Sequence, residues 1–265
     1  MKIKIYILFV IIAVIAIYAF TFISHYNDKK DRQEPSTEVT TEATTEATTE
    51  ATTEVTTEAT PEATTEATTE APTAYDIELE YMSQFPELPA GCESISLTMI
   101  LNYYGYDLDK FEIADNYLIY DSNFIYGYTG DPYSATTGGG CYAPGMITTA
   151  NDFFKANGKH HYAEEISGTD FNELLEYVAA GDPVMVWTTI NMAYPDKGYT
   201  QYDKDGNAYQ WENMEHCVVL AGYDLDAGTV TIYDPMEGVM TRDLEEFQFT
   251  YEAMYEMAII IKPTH

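Results

Sequence analysis

The chain has 265 residues and a formal net charge of −32, from 44 acidic against 12 basic side chains. That balance excludes nucleic acid as a partner, because phosphates are bound by cations, and it excludes electrostatic docking on an anionic membrane surface. It fits a secreted or surface protein, or one whose field attracts a cationic substrate.

Residues 1–4 form a short tip carrying Lys2 and Lys4. Residues 5–23 are almost wholly apolar. As a helix, that segment would span about 28 Å, which matches the bilayer core. Its exit, Phe22-Ile23-Ser24-His25-Tyr26, lacks the small residues of a cleavage site. The segment therefore predicts an uncleaved, single-pass signal-anchor with the C-terminal bulk extracellular. If it were cleaved, the rest would be secreted. In residues 24–74 a glutamate falls at every fourth position from Glu38 to Glu70, separated by Thr-Thr and Ala or Val. A helix there would stack like charges at i, i+4 and has no apolar face to bury. A disordered, self-repelling low-complexity stalk is expected.

Residues 75–265 carry 32 acidic and 7 basic side chains, and are long enough for one domain with a real core. The segment Gln84-Phe85-Pro86-Glu87-Leu88-Pro89-Ala90-Gly91-Cys92-Glu93 delivers Cys92 to the first turn of a helix with Ile95, Met99, Ile100 and Tyr103 on its apolar face. Gly105 is its stop. The positive helix end would favour the Cys92 thiolate, which is the nucleophilic form. A short acidic helix near Lys110–Leu118 follows, then a Tyr-, Gly- and Ser-rich loop from Tyr120 to Tyr142. A loop of that length in a compact domain is expected to be functional or mobile. Pro144 opens a helix closed by Asn157-Gly158. Thr169 or Ser167 would cap the next, from Phe171 to Ala179. Between these two helices, His160 and His161 read as a polar loop.

The periodicity then changes to strands: Pro183–Thr189, a hairpin from Gln201 to Glu212, His216–Tyr223, Thr229–Tyr233 and Glu256–Lys262. The acidic turn Asp203-Lys204-Asp205-Gly206-Asn207 lacks the ligand spacing of a calcium loop. Trp187 reads as core, with a place lining the cleft as the alternative. Helices first and an antiparallel sheet second define an α+β class. The cysteines, Cys92, Cys141 and Cys217, are odd in number, so an oxidising compartment leaves one thiol over. A Cys141–Cys217 bridge would leave Cys92 free; all three could equally stay reduced. His216 and Cys217, adjacent in a strand, would point to opposite faces, which argues against a metal site there.

His216 and Asp234 are 18 positions apart around a turn, so they fall at the same end of two neighbouring strands. There the carboxylate could hold one imidazole nitrogen while the other faces a thiol. The Cys92 N–H at the helix start is one oxyanion donor, and the Gln84 side-chain amide can supply a second.

Residues Gln84–Gly105, Gly181–Trp187, His216–Asp224 and Val230–Pro235 together resemble the C39-like cysteine peptidases, relatives of the bacteriocin double-glycine leader peptidases within the papain-like superfamily. The Leu-Pro-Ala-Gly-Cys-Glu segment is the most specific part. The resemblance implies a papain-like cysteine protease fold, a Cys92–His216–Asp234 triad, Gln84 in the oxyanion hole, no cofactor, and a peptide or protein substrate. It does not transfer the leader-peptide substrate, because those enzymes are fused to an exporter. Two other readings compete: a non-catalytic extracellular binding module on the same scaffold, and an acyl or amide transferase using the same triad. Oligomeric state is not legible.

Overall fold

A computed structural model describes residues 72–158 and 160–264. The expected anchor and almost all of the expected stalk lie outside the described residues. Among the described residues no helix is long and apolar enough to cross a membrane.

The elements run β1 (Ala74–Asp76), α1 (Cys92–Tyr103), α2 (Glu112–Asn116), α3 (Ala143–Asn157), β2 (His161–Glu165), α4 (Phe171–Ala179), β3 (Val184–Thr189), β4 (Lys197–Tyr202), β5 (Ala208–Glu212), β6 (Glu215–Asp224), β7 (Thr229–Asp234), β8 (Gly238–Asp243), α5 (Leu244–Ala253) and β9 (Ala258–Pro263). The main sheet is antiparallel, in the order β2-β9-β3-β6-β7-β8, with β1 pairing the far end of β6. Strands β4 and β5 form a separate hairpin. The class is α+β, as the order of periodicities implies.

The middle of the sheet is apolar on both sides. Every residue of β3 is buried, and so is β6 from Glu215 to Tyr223. Such strands lack the alternation of a half-exposed sheet because helices cover them. Helix α1 is also buried on all sides from Cys92 to Leu101, not along one stripe. Tyr103, placed on its apolar face by spacing, is instead exposed, and its hydroxyl donates to the Gly181 carbonyl. Ser96 Oγ ties α1 to the central strand by donating to the Cys217 carbonyl at 3.0 Å. The helix stops where Gly105 takes φ +89°.

Four elements were not read from the sequence: β1, β2, β8 and α5. His161, expected in a loop, starts the edge strand β2, and the Tyr106 hydroxyl and its Nδ1 are 2.8 Å apart. Helix α4 is capped by Asp170, whose carboxylate accepts from the Asn172 N–H, and not by Thr169 or Ser167. The Thr169 hydroxyl instead donates to the Ile166 carbonyl. Trp187 is fully buried, its Nε1 donating to the Cys141 carbonyl at 2.9 Å. All three cysteines are free and buried, so there is no Cys141–Cys217 bridge.

Candidate active site

Gly91 lets the chain turn tightly into α1. A side chain there would put its Cβ 2.9 Å from the Cβ of Leu88. Cys92 is therefore the first residue of the helix, where backbone N–H groups have no intrahelical acceptor. The segment before it is stitched to the far hairpin: the Gln84 N–H donates to the Pro235 carbonyl at 2.9 Å. The Gln84 side chain is buried, and its Nε2 donates to the Pro89 carbonyl at 2.8 Å. That bond fixes which amide atom is nitrogen and leaves its second N–H uncommitted; Oε1 has no partner.

His216 is the second residue of β6 and Asp234 closes β7, and the turn between the strands brings the two side chains together. The His216 Nε2 and Asp234 Oδ1 are 2.7 Å apart, and both residues are about 1% exposed. Asp234 Oδ1 also accepts from the Met236 N–H at 2.8 Å. Burial alone would raise the Asp234 pKa. The bond and charge of His216, with backbone N–H groups of Met236 and Glu237, outweigh it and hold the carboxyl below its usual range. The other ring nitrogen, His216 Nδ1, is buried without a partner.

Gln84, Cys92 and His216 line one cavity of about 480 Å³. Asp234 stands behind His216. Thus the four residues singled out by sequence assemble in one place.

Two carboxylates that sequence reading passed over share the site. Glu93 Oε1 accepts from the Cys141 N–H at 2.7 Å, and Glu93 Oε2 accepts from the Cys92 Sγ at 3.3 Å. Glu215 lines the cavity, and its Oε1 is buried without a partner. Each adjoins a residue already flagged, Glu93 after Cys92 and Glu215 before His216; that adjacency is the signal that would have found them. Burial pushes the Glu93 pKa up to about 7, with the Cys141 and Cys92 hydrogen bonds and nearby His216 opposing the rise. Burial, then the charges of Glu93 and Glu212, raise Glu215 well above the carboxylate range.

These neighbours correct the expectation of a favoured thiolate. Burial, then Glu93 and Glu215, raise the Cys92 thiol well above its ordinary value.

The cavity's other wall comes from the long loop. Ser134, Thr136 and Gly139 line it, as does Trp211 of β5. The loop is pinned to the turn before Cys92: Tyr128 Oη donates to the Ala90 carbonyl and the Ala90 N–H donates to the Pro132 carbonyl. Trp211, which stacks on Tyr142 at 5.8 Å, is the cleft tryptophan that Trp187 is not.

A buried thiol at a helix start, an imidazole–carboxylate pair on an adjoining antiparallel hairpin, and a side-chain amide facing the same cavity define a cysteine peptidase-like domain. The chain belongs to the Peptidase_C39 like family, whose sequence profile matches residues 76–259. The uncharacterised YvpB protein of Bacillus subtilis (strain 168) is 28% identical over 192 residues, covering 71% of this chain and 75% of that protein. Among solved structures, a Bacillus anthracis protein assigned to the C39-like peptidases matches with a TM-score of 0.62 at 28% identity, over 72% of this chain and 98% of that one. A double glycine motif protease from an AMS/PCAT transporter, solved with its leader peptide, matches at 18% identity with a TM-score of 0.43, over 72% of this chain and 95% of that one.

Proposed function

We propose that this chain is a cysteine peptidase that hydrolyses peptide bonds through a thioester on Cys92. The observation that carries the reading is the His216 ring. One nitrogen is held by Asp234 at 2.7 Å, and the other is buried and unpartnered in a residue that shares its cavity with Cys92. In this reading His216 Nδ1 takes the Cys92 proton as the sulfur attacks the substrate carbonyl. Burial disfavours the free thiolate, so His216 is needed to take the proton as the sulfur attacks. The Cys92 N–H and the free N–H of Gln84 Nε2 hold the oxyanion. His216 passes its proton to the leaving amine, then activates water to release the acyl group. Asp234 keeps the ring oriented and steadies its charge.

The test is cleavage of a peptide library by the full chain. Cys92→Ala is expected to lose all turnover while unfolding at the same temperature as the parent. Turnover surviving in that variant sinks the proposal. With an added amine, the expected product is still the carboxylic acid; an amide product would instead make the chain an acyltransferase.

The apolar run 5–23 supports a second part of the reading, in which the peptidase domain is held outside the cell on the glutamate-spaced stalk. Alkaline extraction of membranes should leave the chain in the pellet, and protease added to intact cells should remove the domain. Recovery of a shortened chain from the medium would replace the anchor by a cleaved signal.

A further inference from the structure

We propose that Cys92, Glu93 and Glu215 form a site for a divalent transition metal of the zinc type, which captures the sulfur and switches the peptidase off. The switching rests on the function proposed above; the binding does not.

One ligand atom from each of the three side chains lies within 4.8 Å of the others, and all three residues are buried. Two ligands on a tetrahedral zinc, at about 2.3 Å for sulfur and about 2.1 Å for oxygen, sit roughly 3.6 Å apart. The Cys92 Sγ to Glu93 Oε2 distance is already 3.3 Å. The Cys141 N–H holds Glu93 by its other oxygen, which is how ligating carboxylates are commonly oriented.

Glu215 supplies the independent observation. It is 9% exposed, its Oε1 has no partner, and the peptidase chemistry gives it no task. Among the described residues, neither Glu93 nor Glu215 is ion-paired with a lysine or arginine. Lys197 is 3.6 Å from Glu212. A buried carboxyl that is not paired either takes up a proton or coordinates a metal. The backbone has also been fitted over the pair: a Cβ at Gly140 would lie 2.6 Å from Glu93 Oε1 and 2.7 Å from Glu215 Oε2.

The donor set selects the ion. Calcium and magnesium take oxygen ligands, whereas zinc accepts one sulfur and two carboxylate oxygens and leaves a fourth position open. That position would face the cavity. On binding, the Cys92 S–H bond breaks and its proton, with that of any protonated carboxyl ligand, leaves to solvent, and the freed sulfur and carboxylate electron pairs form the metal bonds. Nothing is oxidised or reduced. A sulfur so engaged cannot attack a carbonyl, and a chelator restores it.

The experiment uses the metal-free full chain, titrated with Zn²⁺ against a chromophoric chelator and separately with Co²⁺. The parent should bind one equivalent, and the cobalt form should show a near-ultraviolet thiolate-to-metal band. Cys92→Ser should abolish that band and weaken zinc by on the order of 100-fold, and Glu215→Gln should weaken zinc by about tenfold or more. Cys217→Ser should leave the band in place. Absence of the band in the parent, or zinc affinity unchanged in both Cys92→Ser and Glu215→Gln, overturns the site. Should Glu215→Gln fail to fold, protection of Cys92 from iodoacetamide by Zn²⁺ in the parent decides the matter. The spectral readout stands whether or not the chain cleaves peptides, so failure of the metal site and failure of the peptidase reading remain separate results.

Discussion

Asp234 and Glu215 stand on either side of His216, one behind the ring and one next to it in sequence, and they are housed in opposite ways. Asp234 accepts from Met236 N–H and meets His216, and its carboxyl is held below the usual range. Glu215 has an unpartnered oxygen and is pushed above that range. Both are buried carboxylates, so burial alone does not decide protonation; the donors within reach do. Asp234, behind His216, is built to carry negative charge. Glu215 lacks such donors, so its charged form is disfavoured. Burial is also the first cause that raises the Cys92 thiol, against the helix start that ordinarily favours thiolate.

The largest expected effect breaks the His216–Asp234 pair. His216→Ala removes the general base and acid, and kcat should fall on the order of 10²- to 10⁴-fold. Far-ultraviolet circular dichroism should be unchanged. Steady-state cleavage assays check this, and a fall of less than tenfold would mean that the ring does not handle the proton.

A smaller effect comes from Asp234→Ala. It leaves His216 Nε2 buried without a partner, and an orphaned buried donor costs about 1–3 kcal/mol. Denaturant unfolding at neutral pH should show that loss. The sign with pH follows from the lowered carboxyl. Its stabilising contribution is present above its ordinary value of 3.8 and is lost as pH falls through the lower folded value. The gap between parent and variant should therefore close in acid; a gap that persists there would trace to packing.

Much of the proposed triad was legible in the sequence, and little of the two glutamates beside it. Cys92, His216 and Asp234 announce themselves through local patterns: a Gly-punctuated helix start and a hairpin whose ends must coincide. Glu93 and Glu215 do not, because what makes them unusual is tertiary. Their burial beneath Gly140, without an ion pair to lysine or arginine among the described residues, arises only when the long loop folds over the helix start. The same reason accounts for the fold. Strands β3 and β6 were readable as apolar runs bounded by turns. The edge strand β8, Gly238–Asp243, alternates between half-buried and exposed residues and carries Arg242, so it gave no strong signal. Helix α5 buries only Phe247, Thr250 and Tyr251 among acidic neighbours, which hid its periodicity. Trp187 and Trp211 both fall within strands, and only the fold separates core from cleft: Trp187 is fully buried and Trp211 lines the cavity.

The smallest expected effect is the sharpest. Glu215→Gln keeps the shape of the side chain and removes its ability to ionise. A carboxyl whose folded pKa is raised stabilises the protein fully below its ordinary value of 4.5, and that contribution is lost as pH climbs toward the folded value. The glutamine variant lacks this dependence. Unfolding free energies compared at acid and neutral pH should therefore move in favour of the variant as pH rises, the reverse of what Asp234→Ala does as pH falls. The shift should be about 1 kcal/mol, the scale of replacing one poorly satisfied buried polar group by another. Iodoacetamide labelling of Cys92, run with chelator present, should quicken in the variant only at alkaline pH, where Glu215 of the parent ionises and its charge opposes the thiolate. If instead the variant loses stability at neutral pH and labels no faster at alkaline pH, Glu215 has a partner in solution that compensates it, and the two carboxylates are alike after all.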